Sequence, residues 1–157
     1  MRKLGIATVL IVLTASTRAE DSADRALILI ELLAAPSLHC SFGPGAGAAW
    51  QDGVLVPRLS DSPTETVDFI DIDIGKATAT ARGAAFEGEV HVIPAATGMH
   101  LYAFGGGGDL SIATVSAARD ASGRYLAVLS LHREIDGRLL PEQHYGYCEG
   151  APPGSTE

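Results

Sequence analysis

Residues 70–81 read IDIDIGKATATA, in which apolar and polar side chains alternate on both sides of Gly75-Lys76. Successive side chains of a β-strand point to opposite faces, so this period of two predicts two antiparallel strands that share one dry face. A two-residue Gly-X loop favours a type II′ turn, which pairs Ile74 with Ala77 and Asp73 with Thr78. The dry face of this hairpin is predicted to consist of Ile70, Ile72, Ile74, Ala77, Ala79 and Ala81.

Short alternating runs separated by Gly, Pro and Asp continue on both sides of this hairpin. Such a pattern is typical of an all-β antiparallel domain. Asp52-Gly53 and Asp136-Gly137 are turn candidates, the second of type I′, and Pro57 favours an edge strand. A first strand is expected from Leu38, ending at the glycine-rich stretch 43–47. Later strands are expected at Phe86–Ile93, Met99–Phe104, Leu110–Ser116, Arg124–Arg133 and Gln143–Cys148.

The segment that precedes the strands, Ala23–Ala35, is rich in helix-forming Ala, Leu and Glu. Acidic residues precede it and Pro36 follows it, as at the start and stop of a helix. Its apolar run would also suit a short strand, but we expect a helix packed on the core. The predicted organisation is a helical segment 20–36, a β domain 37–150 and a disordered tail 151–157.

Residues 1–19 have the order of a secretory signal peptide: a basic start, an apolar run at 4–13 and small residues up to Ala19. The apolar run is too short to span a bilayer, so cleavage is expected rather than anchoring. Cleavage after Ala19 fits best, with Ser16 as an earlier alternative. The sequence therefore predicts an exported chain, periplasmic or secreted, without stable membrane insertion once the signal is removed.

Cys40 and Cys148 are the two cysteines of the chain. An even pair in an exported protein predicts a disulfide, and two cysteines without CxxC spacing make a poor zinc site. Such a bond would bring the first and last strands within about 7 Å. We therefore expect an eight-stranded small barrel or barrel-like sandwich rather than an open sheet.

The charge of the chain is strongly acidic. Loss of three basic residues with the signal leaves 8 basic against 19 acidic residues, a formal net charge of −11. Nucleic acid and anionic membranes both require basic patches, so neither is expected as a partner.

Candidate site residues are large rings and a histidine that could line a barrel mouth or loop. A small barrel can hold one small ligand, although aromatic side chains more often fill the core. The candidates for pocket or loop contacts are Trp50, Tyr102, Tyr125, His132 and Tyr145.

The sequence contains no strong motif for catalysis or metal binding. Ser130 and His132 share a strand face, but side chains two apart point in parallel and no G-x-S-x-G elbow is present. Asp71 and Asp73 would need further oxygen ligands to hold Ca²⁺ or Mg²⁺, and the five histidines are scattered. We therefore assign no catalytic, cofactor-binding or metal-binding residue and expect a protein that is not an enzyme.

Four short motifs lie along the β domain: Cys40-Ser41-Phe42-Gly43, the glycines before Trp50, Ile70-Asp71 before Gly75-Lys76-Ala77, and Gln143-His144-Tyr145-Gly146-Tyr147-Cys148. With these motifs, the chain resembles a group of small, uncharacterised exported bacterial proteins between Ser37 and Cys148. The resemblance implies export and a single fold unit and brings no activity or catalytic residue.

Two functional hypotheses follow from a disulfide-bonded β domain without catalytic motifs. The first is a β domain that binds an unknown small ligand or a protein partner at the barrel mouth or its loops. The alternative is a structural or interaction module of the cell envelope without a ligand pocket.

Overall fold

The computed structural model describes residues 22–60, 65–105 and 108–151. A helix, α1, spans residues 22–34 and precedes nine strands of one antiparallel sheet, which confirms the all-β class with one short helix. Among the described residues, no helix is long and apolar enough to cross a bilayer. The predicted signal peptide lies outside the described residues, as does the predicted tail beyond residue 151. The strands are β1 Leu38–Gln51, β2 Val54–Ser60, β3 Glu65–Asp73, β4 Thr78–Gly83, β5 Glu87–Ala95, β6 Gly98–Phe104, β7 Leu110–Arg119, β8 Tyr125–Ile135 and β9 Arg138–Gly150.

Strand β1 closes the barrel because its first half pairs on both edges. Residues 38–42 pair with β3 on one side and with β9 on the other. Strands β1 and β3–β9 thereby form a closed eight-stranded barrel in which each strand from β3 to β9 pairs with the next. The predicted eight-stranded barrel is confirmed, and β2 is one strand more than it requires.

The predicted disulfide lies at this closure. Cys40 and Cys148 are direct partners in the β1–β9 ladder, with Cα atoms 4.0 Å apart, and their sulfur atoms are bonded. Both cysteines are fully buried. The bond therefore joins the first and last barrel strands from inside the core.

Beyond the closure, four strand segments continue as an open sheet, which we call the sheet extension: residues 45–60 and 131–142. Here β2, the second half of β1, the start of β9 and the end of β8 lie side by side. Two tight turns define it, Asp52-Gly53 and Asp136-Gly137, and all four turn residues have positive φ, as type I′ turns require. Both turns were predicted, and so was the edge position of the strand that contains Pro57.

The glycine-rich stretch predicted to end the first strand is instead part of β1. A Cβ on Gly45 would lie 1.8 Å from the carbonyl oxygen of Gln143, and one on Gly146 would lie 2.0 Å from that of Ser41. The β1 and β9 backbones therefore approach too closely for side chains at these positions. The glycines allow two strands to meet at the irregularity between Phe42 and Gly45.

The turn of the 70–81 hairpin differs from the predicted one. Asp73 and Thr78 pair as expected, but the loop is four residues long, 74–77, and positive φ occurs at Ala77 (59°) rather than at Gly75. The Asp73 carboxylate accepts hydrogen bonds from the backbone N–H of Lys76 at 2.9 Å and from its Nζ at 2.6 Å. These bonds cap a four-residue loop, so the two-residue type II′ turn was wrong.

The predicted dry face needs two corrections, the first because β3 contains a bulge at Asp71 (φ 55°). Ile70 pairs with Thr80 instead of Ala81, and Phe69 takes the position opposite Ala81, so Ile70 leaves the core face. The four-residue loop makes the second, because it leaves Ala77 exposed in the turn. Ile72, Ile74, Ala79 and Ala81 pack in or against the core, as predicted.

Side chains from every barrel strand fill the barrel interior. Leu32 and Ala35, at and just beyond the end of α1, complete this core, and Phe86 packs edge-on against Phe69 with ring centroids 5.3 Å apart. The strand residues of this cluster are Leu38, Cys40, Phe42, Val67, Phe69, Ala79, Ala81, Val90, Val92, Met99, Leu101, Ala113, Val115, Tyr125, Ala127, Leu129, Leu131 and Cys148.

Candidate functional site

Trp50 is a predicted site residue that lies in the sheet extension, on β1. It is 37% exposed, and its Nε1 donates a hydrogen bond to the carbonyl oxygen of Leu139 at 3.2 Å. The guanidinium carbon of Arg138 lies 5.7 Å from the centre of the Trp50 ring, within range of a cation–π contact. The indole thus ties β1 to β9 and lines an open hollow of the extension.

Three other predicted residues lie on the outer face of the sheet. Tyr102 packs between His91 and Phe104 on the barrel wall, with ring centroids 5.2 and 5.8 Å away. Tyr145 is 57% exposed on β9, and His132 is half-buried on β8, where the barrel continues into the sheet extension. Each follows a buried residue in its strand, so alternation points these side chains outward.

Tyr125 is the fifth predicted residue and is buried at the start of β8. Its hydroxyl accepts a hydrogen bond from Arg119 Nη2 at 2.9 Å, and the same nitrogen lies 2.6 Å from Glu31 Oε2. The Tyr125 hydrogen bond raises the pKa of Arg119 above its usual value, and the Glu31 charge adds to this. Tyr125 therefore takes part in joining helix α1 to β7 and β8, and the five predicted residues do not share one hollow.

The structure brings together three arginines that sequence reasoning did not single out. Arg58 on β2, Arg133 on β8 and Arg138 on β9 are exposed and line two adjoining hollows of the sheet extension. Arg58 belongs to both hollows. We call this surface the arginine trough; its apolar lining consists of Ala48, Ala49, Trp50, Ile135, Leu140 and Pro141.

A polar cluster lies where the trough meets the barrel. Ser60 Oγ donates a short hydrogen bond to Glu142 Oε1, and His144 Nε2 lies 3.5 Å from the same oxygen. His144 is 3% exposed, and its Nδ1 donates to the carbonyl oxygen of Gly43 at 3.0 Å. These contacts hold the Glu142 carboxylate at the inner end of the trough.

The pKa of Glu142 reflects opposing influences. Burial raises the pKa. The hydrogen bond from Ser60 and the charges of His144, Arg133 and Arg58 together lower it by more, so the net pKa is below the ordinary value of 4.5. Glu142 is therefore an anion at neutral pH, surrounded by positive or hydrogen-bonding groups.

The geometry of this cluster is not that of a hydrolase triad. In a triad, histidine lies between the nucleophile and the acid and takes the proton of the nucleophile. Here Glu142 lies between Ser60 and His144 and itself accepts the hydrogen bond from the Ser60 hydroxyl. The arrangement orients side chains at the barrel rim rather than activating a hydroxyl group.

The aspartates weighed as metal ligands have other roles. Asp73 binds Lys76 within the turn, and the hydrogen bonds from Lys76 lower the pKa of Asp73. Asp71 occupies the bulge of β3. Within residues 22–60, 65–105 and 108–151, no three His, Cys, Asp or Glu side chains are placed to hold a metal ion.

The arginine trough carries no sequence motif. Its arginines come from three strands separated by up to 80 positions in the chain, and the acidic total charge conceals a local excess of basic residues. The two Asp-Gly turns were the available signal, because they fix the registers that place Arg58 and Arg138 beside the Trp50 hollow.

Comparisons of this chain with protein-family models, curated proteins and solved structures find no match. The resemblance to small exported bacterial proteins therefore stays a prediction.

Proposed function

We propose that this chain is an exported, non-enzymatic binding module that contacts a protein partner through its sheet extension. The observation that carries the proposal is the contrast between a filled barrel and an exposed extension. An eight-stranded barrel has room either for its own side chains or for one small ligand, and here side chains occupy the interior. This favours the protein half of the binding hypothesis over the small-ligand half.

The exposed surface of the extension supports a macromolecular partner. Large hydrophobic side chains exposed together and bordered by polar groups mark interaction sites, whereas isolated ones need no explanation. Val54 and Ile135 are more than half exposed and lie on the sheet face that carries Arg58 and Arg133. Trp50, 37% exposed, lines the hollow that Arg58 and Arg138 border. Leu55, Leu59 and Leu139 are also exposed, but strand alternation places them on the opposite face of the extension.

Export is supported by the buried disulfide, because such bonds persist in oxidising compartments and are rare in the cytosol. The order of the Ser60–Glu142–His144 contacts argues against a serine hydrolase triad at this cluster.

Photo-crosslinking in the producing cells tests the proposal. Ile135 in the extension and Ile93 on the barrel wall are matched positions, 52% and 46% exposed. A benzophenone amino acid at position 135 should give one reproducible adduct, and the same group at position 93 should not. The captured protein, once purified, should bind the oxidised wild-type chain and bind Ile135→Asp at least roughly ten-fold more weakly than Ile93→Asp.

Two results would overturn this proposal. One is equal crosslinking at positions 135 and 93, which indicates random collision. The other is a small ligand from a screen of lipids, haem, metals and sugars that raises the melting temperature and enters the barrel interior.

A further inference from the structure

The arginines of the trough lie together and have no ion-pair partner among the described residues, a lack that only the separate Arg25 and Arg82 share among the described lysines and arginines. Lys76 is 2.6 Å from Asp73, Arg119 is 2.6 Å from Glu31 and Arg124 is 2.7 Å from Asp120. Within the part of the chain that the structure describes, none of the three trough guanidinium groups lies within 4.0 Å of a carboxylate oxygen; these groups are Arg58, Arg133 and Arg138.

Two carboxylates also line the trough. Asp136 lies in the β8–β9 turn, and Glu142 already accepts the Ser60 hydrogen bond beside His144. Three arginines against two carboxylates make the trough locally positive, in a chain whose formal net charge is −8. The local field therefore attracts anions, whereas the rest of the molecule repels long polyanions such as nucleic acid.

The spacing of the arginines indicates the size of the ligand. Arg58 on β2 is in line with Leu131 on β8, across β1 and β9, and Arg133 lies two residues further along β8, so the backbones of the two arginines are about 16 Å apart. Their long side chains narrow this separation, because Arg58 and Arg133 line one hollow and both lower the pKa of Glu142. A ligand that also reaches Arg138 extends along the trough, and an extended peptide presents side chains on one face about every 7 Å.

Apolar side chains lie between the charges. Trp50, Ile135 and Leu140 line the hollow that Arg58 and Arg138 border. A ligand that carries only charge leaves this surface exposed to water, whereas a peptide with carboxylates and aliphatic side chains covers both parts.

We propose that the arginine trough binds an extended acidic segment of the partner protein that carries both Asp or Glu and aliphatic residues on the face turned toward the trough. Its carboxylates pair with Arg58, Arg133 and Arg138 by charge-assisted hydrogen bonds, which arginine makes in bidentate geometry. Its aliphatic side chains pack on Trp50, Ile135 and Leu140. This inference rests on the proposed function and specifies the partner chemistry at the same surface.

Trp50 is the single tryptophan of the chain, so its fluorescence reports on the trough alone. The probe is the capped hexapeptide Glu-Glu-Val-Val-Glu-Glu, which in extended form carries both residue types on each face, added to the full-length oxidised protein. A saturable change in emission is expected, weakened at least roughly ten-fold when Gln replaces Glu in the peptide. Added salt should weaken binding, because exposed ion pairs are screened.

Arginine variants separate a specific site from general attraction. Arg58→Gln and Arg133→Gln should each weaken peptide binding about three- to five-fold, as expected for exposed charge pairs. Arg82→Gln on the barrel wall removes the same charge outside the trough and should leave the affinity unchanged. Calorimetry provides a second measurement that does not depend on the Trp50 environment.

Each outcome decides the inference. Equal binding of the Glu and Gln peptides, or equal losses for Arg58→Gln and Arg82→Gln, would overturn it. It is also overturned if acetate or inorganic phosphate, at matched anion concentration, saturates the same change in emission. If the peptide fails while the Ile135 crosslink to a partner persists, the acidic segment is wrong and the proposed function stands. If the peptide binds but no partner is captured at Ile135, the proposed function fails, and the trough is a site for acidic peptides that is not assigned to a partner protein.

Discussion

Removal of the Cys40–Cys148 disulfide should destabilise the barrel strongly without changing its topology. The bond closes a loop with a sequence separation of 108 residues, for which the chain-entropy model gives up to about 4.7 kcal/mol. The β1–β9 ladder remains in the native state, so the loss arises mainly from the additional freedom of the unfolded chain. We expect Cys40→Ala/Cys148→Ala to lose roughly 2 to 5 kcal/mol of unfolding free energy.

Guanidinium unfolding of the double variant, of the oxidised wild type and of the reduced wild type measures this difference. The reduced wild type and the double variant should agree within about 1 kcal/mol, because both lack the crosslink. A larger m-value is expected for both, since an uncrosslinked unfolded chain exposes more surface. A loss below about 1 kcal/mol in both proteins would contradict the reasoning, because it would mean that the bond does not restrict the unfolded chain as the chain-entropy model requires.

Three further predictions test the core, the strand closure and the polar cluster. Leu101→Ala, at a fully buried position, should cost about 2 to 5 kcal/mol in chemical unfolding, whereas Ile93→Ala, on the exposed wall, should cost under about 1 kcal/mol; similar values would contradict a filled interior. Gly45→Ala places its Cβ against the Gln143 backbone, so we expect a lower melting temperature and faster amide exchange in β1 and β9; an unchanged exchange pattern would argue against this close approach. The pKa of Glu142 is lowered in the folded state, so its carboxylate stabilises the fold above the ordinary pKa of 4.5, and this contribution is lost as the pH falls through the folded pKa. Glu142→Gln should therefore flatten the acid limb of a stability–pH profile, and an acid limb equal to that of the wild type would refute this assignment.

Much of the fold could be predicted because local signals agreed with the global structure. Asp52-Gly53 and Asp136-Gly137 form the tight turns that their residue types favour, and Cys40 and Cys148 join the outermost barrel strands. Pro57 lies on the edge strand, where its missing N–H does not interrupt a central ladder.

The sequence-based predictions were wrong where a residue type suits two different local structures. Glycine at positions 43–47 suits either a turn or a close backbone approach, and only the position of β9 decides in favour of the latter. Gly75 suits a two-residue turn, but the Asp73 carboxylate stabilises a longer loop through Lys76. Such competition between local options is settled by tertiary contacts, which the chain does not display as a pattern.

The candidate site was less predictable than the fold. The residue type of Trp50 was enough to predict it as a site residue. Tyr125 was also predicted, but it is buried and its hydroxyl binds Arg119. No sequence pattern predicts the arginines of the trough. Arg58, Arg133 and Arg138 become neighbours only when two hairpins, far apart in the chain, lie side by side.

The central claim is that binding occurs on the arginine trough and outside the barrel interior. Side-chain NMR of the oxidised protein during titration with the Glu–Val peptide tests this most directly. We predict saturable shifts of the Ile135 and Leu140 methyl groups and of the Arg58 and Arg133 Nε–Hε groups, with the buried methyl groups of Leu101 unchanged. Shifts confined to Leu101 and its core neighbours, with the trough signals unmoved, would contradict the claim.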